Sequence, residues 1–370
     1  MKIAVVGPAR SVHVERWISF LDQRGHEVVV LTDARPRRAL GRARVELMPA
    51  RIPSKAARVL VSRVHLARLI DRERPEVVHI QSLGAMALLA PAVPADRLVV
   101  SPWGSDVADA AGLRRAIVRT AVRRASLVFC TSRAMADEIR QSLGVSADRI
   151  EVISWGVDPA TFRPASREEV IRTRRSLGIP DGAITVTGIR TVAATYRTAE
   201  LVRAFAGANA TGQHLVLVSG FVPGDRRAAR QQRRYRTEVF GMARRIRPDS
   251  VTVIDRPLSE PEYAALLQAS DVAVTIPGTD QRASSVLEAL AVGSTVVGSD
   301  IAPYREMREA GYRLALLPEP IESSLRDWLA HPTLLDPAAR ASNAATIASS
   351  ETRDAGYRAM EAHLVRLAGR

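Results

Sequence analysis

The chain has 370 residues, 46% apolar and 4% aromatic, with a formal charge of +14 carried almost wholly by arginine; Lys2 and Lys55 are its only lysines. That length suggests two domains, the apolar share supplies real cores and excludes global disorder, and the scarce aromatics argue against base-stacking platforms for single-stranded nucleic acid. The basic excess admits nucleic acid, an anionic membrane surface, acidic substrates, or simply an Arg-rich coding bias.

Lys2–Gly7 is a short β-branched run closed by Gly7-Pro8, and it turns polar too early for a signal peptide. Trp17, Phe20 and Leu21 follow at helical spacing up to Gly25, and HEVVVLT is the next strand. This βαβ unit predicts a parallel sheet with a right-handed crossover. VVHI (77–80), LVVS (98–101), LVFCTS (127–132) and IEVIS (150–154) supply further strands. The single cysteine, Cys130, excludes internal disulfides and a multi-thiolate zinc site, and it reads as a small core hydrophobe. No apolar run approaches bilayer length, so the expectation is a soluble or peripheral cytoplasmic protein.

The stretch WGVDPATFRP (155–164) lacks periodicity and reads as a linker. The alternation restarts with AITVTG (183–188), HLVLVS (214–219), SVTVID (250–255), DVAVTI (271–276), STVVGS (294–299) and RLALL (313–317), nearly continuous apolar runs of the kind covered by helices on both faces. Ser259-Glu260-Pro261-Glu262 predicts a capping box. Beyond Pro337 the chain reads as helical, with Tyr357, Met360, Leu364 and Leu367 on one stripe. Two doubly wound α/β domains result: 1–158, 159–345, and a terminal helix, 346–370, expected to pack back on the first domain. Ligands in such sheets sit beyond the carboxyl ends of the strands, which places the expected site in a cleft between the domains.

Chemistry concentrates between Thr275 and Glu306. An apolar strand breaks at Pro277-Gly278, a polar turn carries Asp280, and a helix opens at Ser284 or Ser285. Asp280 and Glu288 bracket that opening, eight positions apart. A helix N-terminus offers unpaired N–H groups and partial positive charge, which suits a phosphate, and a carboxylate one turn inside suits sugar hydroxyls. A buried αβ unit capped by its serines would read the same way.

Several landmarks, in order, resemble the GT-B class of retaining glycosyltransferases, specifically the group 1 family, glycosyltransferase family 4. They are SVHVERWISFLDQRGHEVVVLT (11–32), PEVVHIQ (75–81), PWGSDV (102–107), CTSRAMADEI (130–139), VISWGVDPATFRP (152–164), Arg190 and DQRASSVLEALAVGSTVVGSD (280–300). The resemblance implies two Rossmann-like domains facing across a cleft. It implies retaining transfer of a sugar from a nucleoside diphosphate sugar, with no cofactor and no metal, to a glycan, lipid-linked or small-molecule acceptor. Asp280 would bind hydroxyls of the transferred sugar and Glu288 the ribose. The backbone of Ala283 to Val286, with Ser284 and Ser285, and the Arg190 fork would receive the diphosphate.

The family's lysine five residues after that arginine is here Thr195, with Arg197 beyond it as a substitute. Arg256 occupies the region of the nucleobase pocket. His79 would face donor and acceptor, although the family's second histidine is here Gln81. Ser11, His13, Arg16, Trp103 and Asp106 would line the acceptor side, and Asp106 would equally serve as a helix cap. The basic, partly apolar segment from 35 to 70, including RVLVSRVHLARLI (58–70), predicts a peripheral face for an anionic membrane or an ordinary surface helix. The second basic cluster, 225–236, reads as a solvated helix face. The thinned motifs leave a non-catalytic GT-B subunit open as the alternative. Nucleic acid is not an expected partner.

Overall fold

The structure, a computed structural model, describes residues 1–49, 52, 54–209, 211–220, 226–246 and 250–369, without the side chains of 55 and 226–228. Arg51, the Lys55 side chain and the start of the 225–236 cluster therefore lie outside the described residues. The chain divides into two units, Met1–Ser154 with Gly356–Arg370, and Trp155–Ala355.

In the first unit, β1 (Lys2–Val6), β2 (Glu27–Thr32), β3 (Arg44–Leu47), β4 (Val77–Gln81), β5 (Leu98–Ser101), β6 (Leu127–Cys130) and β7 (Ile150–Val152) form one sheet in the order β3-β2-β1-β4-β5-β6-β7. Every pairing is parallel. The central strands are buried from end to end, as continuous Val/Ile/Leu runs require when helices cover both faces. The order reverses between β1 and β4, so their carboxyl ends open a crevice there. β3 is the one strand of this sheet that the sequence reading did not place. It lies at the sheet edge as Arg-Val-Glu-Leu, and its Arg44 pairs with Glu73.

In the second unit, β8 (Ile184–Gly188), β9 (Gln213–Val218), β10 (Val251–Ile254), β11 (Val272–Thr275), β12 (Thr295–Ser299) and β13 (Ala315–Leu317) form a sheet in the order β10-β9-β8-β11-β12-β13. All its pairings are parallel as well. Here the reversal falls between β8 and β11. The capping box forms as the sequence implies, with Ser259 and Glu262 satisfying each other's backbone N–H.

The divisions fall at Ser154/Trp155 and Ala355/Gly356, where the reading had placed boundaries at 158/159 and 345/346. The helix Pro337–Ser350 stays with the second unit, where Ile347 packs with Val286 and Leu290. From the last helix, Arg353–Ala368, the buried Tyr357 meets Trp17 edge-on at a centroid distance of 5.2 Å and Phe20 at 5.4 Å. Four residues on, Glu361 takes Arg24 and His26. Apolar contact and charge pairing thus hold one helix of the chain's end to the first helix of the chain, Val12–Gln23.

Candidate functional site

β8 and β11 deliver two loops to the reversal point of the second sheet. Ile189 continues the ladder by donating its N–H to the Val274 carbonyl at 3.1 Å, which fixes where the next side chain, Arg190, starts. The Arg190 Nη1 lies 3.0 Å from Asp280 Oδ2 and donates to Ser285 Oγ at 3.2 Å, and the guanidinium sits 4.2 Å above the Tyr196 ring centroid. Tyr304 donates its hydroxyl to the same Asp280 oxygen at 2.9 Å and stands 3.3 Å from Thr275 Oγ1.

Burial alone would push the Arg190 guanidinium down, but the Asp280 carboxylate, with Tyr196 and Tyr304, holds it raised. Burial, and then Asp280, push the Tyr304 hydroxyl well above its ordinary value, so it remains a donor. Arg190 is therefore a permanent cation at a half-buried position, with part of its fork committed to Asp280. Fields from such a group are worth far more than the same charge in water.

The helix Ser284–Ala291 opens beside this pair. Its N-cap is Ala283, in extended conformation and with no side-chain cap, so the serines do not cap it. Ser285 instead turns its hydroxyl to Arg190. Partial positive charge at the helix mouth and the arginine fork thus converge, an arrangement suited to an anion. Glu288, one turn inside, is 4% exposed on a helix whose Val286, Leu287, Ala289 and Leu290 are all core. A carboxylate costs several kcal/mol, as an order of magnitude, to bury among such neighbours unless it is partnered.

Tyr304 and Tyr196 were not anticipated. The trace of Tyr304 in the sequence is Gly298: a Cβ there would approach the Tyr304 ring to 3.0 Å, so the strand leaves room for the tyrosine. Arg197 comes to the turn at Gly278, where an added Cβ would lie 3.1 Å from its Nη2, and it is ion-paired with Glu319 at 2.5 Å. Thr195 is exposed. Arg256 departs from the expectation. It is exposed and bound to Glu262 at 2.7 Å at the start of the helix Glu260–Gln268, so a local ion pair occupies its guanidinium.

In the first unit, the other candidates lie on β4 and on the segments that follow β1 and β5. Ser11 caps the helix Val12–Gln23 by accepting from the His13 N–H at 3.3 Å. The His13 ring meets Trp103 edge-on at 5.8 Å, and Arg16 is half-buried on the same helix. Asp106 is not available to an acceptor. Its carboxylate takes the N–H groups of Leu83 at 2.6 Å, Trp103 at 2.8 Å and Gly104 at 3.0 Å, tying the loop after β4 to the loop after β5. Burial nonetheless leaves its pKa raised.

His79 also departs from the expectation. It is fully buried, with Trp17 and Phe129 edge-on at 6.0 and 5.9 Å, and its Nε2 lies 2.8 Å from Ser101 Oγ. The strand alternation that puts Gln81 on the same face buries Gln81 too. The imidazole is sealed off from any ligand that the first unit could hold at its surface.

Desolvation lowers the His79 pKa to about 3, so the fold holds it neutral. Its contribution to stability is complete above the unfolded value near 6.5 and is lost as pH falls towards 3. Between pH 7.5 and pH 5 the loss is expected to be about 2 kcal/mol. Denaturant titrations of the wild type and His79→Gln at both pH values check this: the wild type should lose that much more than the variant. Equal losses would mean that the ring takes a proton within the fold.

Residues 11–161 match the model of Glycosyltransferase Family 4. A search of curated proteins finds no match. Among solved structures, sucrose-phosphate synthase from Thermosynechococcus elongatus aligns with a TM-score of 0.77 at 16% identity over 99% of both chains. HepE from Anabaena, solved in complex with UDP and glucose, gives 0.74 at 17% identity over 99% of both chains. WaaG, a glycosyltransferase involved in lipopolysaccharide biosynthesis, gives 0.75 at 14% identity over 97% of this chain and 98% of its own. Such low identities speak for the fold, and the family match covers most of the first unit and the start of the second. The chain has the GT-B fold over its length, and over residues 11–161 it matches the model of Glycosyltransferase Family 4.

Proposed function

We propose that the protein transfers a sugar from a nucleoside diphosphate sugar, UDP- or GDP-linked, to a glycan, lipid-linked or small-molecule acceptor. Transfer proceeds with retention and without a metal ion, in polysaccharide or glycolipid assembly. The observation that carries the reading is the convergence of Arg190, Ser285 and the uncapped start of the helix Ser284–Ala291 at the reversal point of the second sheet. The diphosphate would lie against that helix start, where backbone N–H groups and the Arg190 fork take its charge. As the glycosidic bond breaks, negative charge builds on the leaving phosphate, and a preorganised guanidinium stabilises that charge without reorganising. Glu288 would accept from the ribose hydroxyls, and Asp280, held by Arg190 and Tyr304, would offer its remaining lone pairs to the transferred sugar. Arg197 would flank the diphosphate from the Gly278 turn. HepE, whose structure holds UDP and glucose, lends support as a neighbour of the same fold.

On the first unit, Ser11, His13, Arg16 and Trp103 would meet the acceptor. The helix Lys55–Glu73 leaves Leu60, Val61 and Val64 exposed on one side, with Arg68 one turn further. That mixture suits peripheral contact with an anionic membrane and favours a lipid-linked acceptor.

A thermal-shift screen with UDP-, GDP- and ADP-sugars tests the donor half. At a ligand concentration of one hundred times Kd, binding to the folded state alone adds about 2.7 kcal/mol, which raises the melting temperature by several degrees. One nucleotide should stand out, and the anomeric configuration of the product, read by NMR, should match that of the donor. No shift with any of the three nucleotides, or an inverted anomer, would defeat the reading.

A further inference from the structure

The second unit contains a clasp that no part of the proposed chemistry uses. Residues 155–157 and 351–353 lie beside the two points where the chain passes between units, and all of them belong to the second. Val157 forms a parallel bridge with Thr352, donating its N–H to the Glu351 carbonyl at 2.8 Å and accepting from the Arg353 N–H at 2.8 Å. Gly156 makes the approach feasible. Its φ is +64°, and a Cβ there would lie 2.4 Å from the Thr352 carbonyl carbon.

Two ion pairs leave this clasp. Glu351, 8% exposed, holds Arg282 at 2.5 Å, and Arg282 lies between Asp280 and the helix N-cap Ala283. Arg353 holds Glu260 at 2.5 Å, at the head of the helix Glu260–Gln268. One turn into that helix, Tyr263 donates its hydroxyl to the carbonyl of Ile189 at 2.8 Å, next to Arg190. The 351–353 segment is thus wired to both loops of the Arg190–Asp280 cluster.

We infer that Glu351 is a positioning residue: through Arg282 it fixes the 280–285 loop in the shape that receives the donor diphosphate, and so links occupancy of that loop to the clasp at Val157. The ligand part of this rests on the donor reading above, and the loop part does not. A largely buried ion pair carries such a link, because removing one partner leaves the other charge poorly compensated. The pair also joins segments 69 residues apart in the chain.

Amide hydrogen exchange without ligand, and calorimetric titration with UDP, test the link on the full chain. In Glu351→Ala and in Arg282→Ala, exchange of the 281–286 and 157 amides should rise about ten-fold, while β8 and β11 stay protected. UDP should bind about ten-fold more weakly in each, the double variant should resemble either single one, and Glu351→Gln should restore much of the loss. If Glu351→Ala fails to fold, Arg282→Ala and Glu351→Gln carry the same comparison. Unchanged exchange at 281–286 in both single variants, or strictly additive effects, would overturn the proposal. Raised exchange in a protein whose wild type does not bind UDP would support the link and defeat only the donor reading.

Discussion

Arg190→Ala is expected to lower transfer by about 10²–10³-fold in kcat, and to destabilise the second unit by about 3 kcal/mol. The two effects have separate causes. The catalytic loss follows from removing a preorganised cation where charge develops on the leaving diphosphate, which acts on the transition state more than on the bound donor. KM should therefore move much less than kcat. The stability loss follows from leaving Asp280, only 8% exposed at its side chain, without the guanidinium 3.0 Å away. Pairing Arg190→Ala with Asp280→Asn separates them. Removing both charges should return most of the stability, because no buried charge is left without compensation, and none of the activity. Arg190→Lys keeps a charge but loses the fork that addresses Asp280 and Ser285 together, so it should keep more stability than activity. Kinetics with the donor that the thermal screen selects, and denaturant titrations, read the two quantities. Full activity in Arg190→Ala would remove the guanidinium from the mechanism.

The parts of this site that could be read in advance are those set by chain order. Buried strands announce themselves as apolar runs, and a doubly wound sheet delivers the loops after its central strands to one place; hence Arg190, Asp280 and Ser285 meet after β8 and β11. What packing decides was not legible. His79 stands at a strand end like a ligand-facing residue, yet Trp17 from the first helix and Phe129 from β6 close over it. Asp106 has the spacing of a helix cap, but the N–H of Leu83, from a different loop, makes it a brace. Arg256 follows a strand as Arg190 does, but its strand is the sheet edge, and Glu262 lies within its reach. Tyr304 is the reverse case, a residue with the look of plain core whose hydroxyl completes the Asp280 network 24 positions away.

Glu288→Ala should act on binding where Arg190→Ala acts on rate. Glu288 follows Ser284 by one helical turn, so the two share a face, with the carboxylate deeper than the helix mouth. On the donor reading proposed above, a group at that depth would reach the nucleoside part of a donor whose diphosphate occupies the mouth, and the nucleoside does not change during transfer. Its hydrogen bonds to hydroxyls therefore stabilise ground and transition states alike, and their loss appears in KM. A hydrogen bond to a charged group contributes about 1.5–3 kcal/mol, so UDP should bind roughly ten- to a hundred-fold more weakly to Glu288→Ala. Glu288→Gln keeps one acceptor oxygen and should fall between. Truncation also empties a buried position, so the melting temperature without ligand should fall as well. The increment that UDP adds to it is the specific readout, and that increment should collapse. Calorimetry with UDP and with inorganic diphosphate makes the assignment specific: the variant should lose affinity for the nucleotide and keep it for diphosphate. Equal loss for both ligands would place Glu288 at the phosphates, and no loss for either would return it to the core as a structural residue.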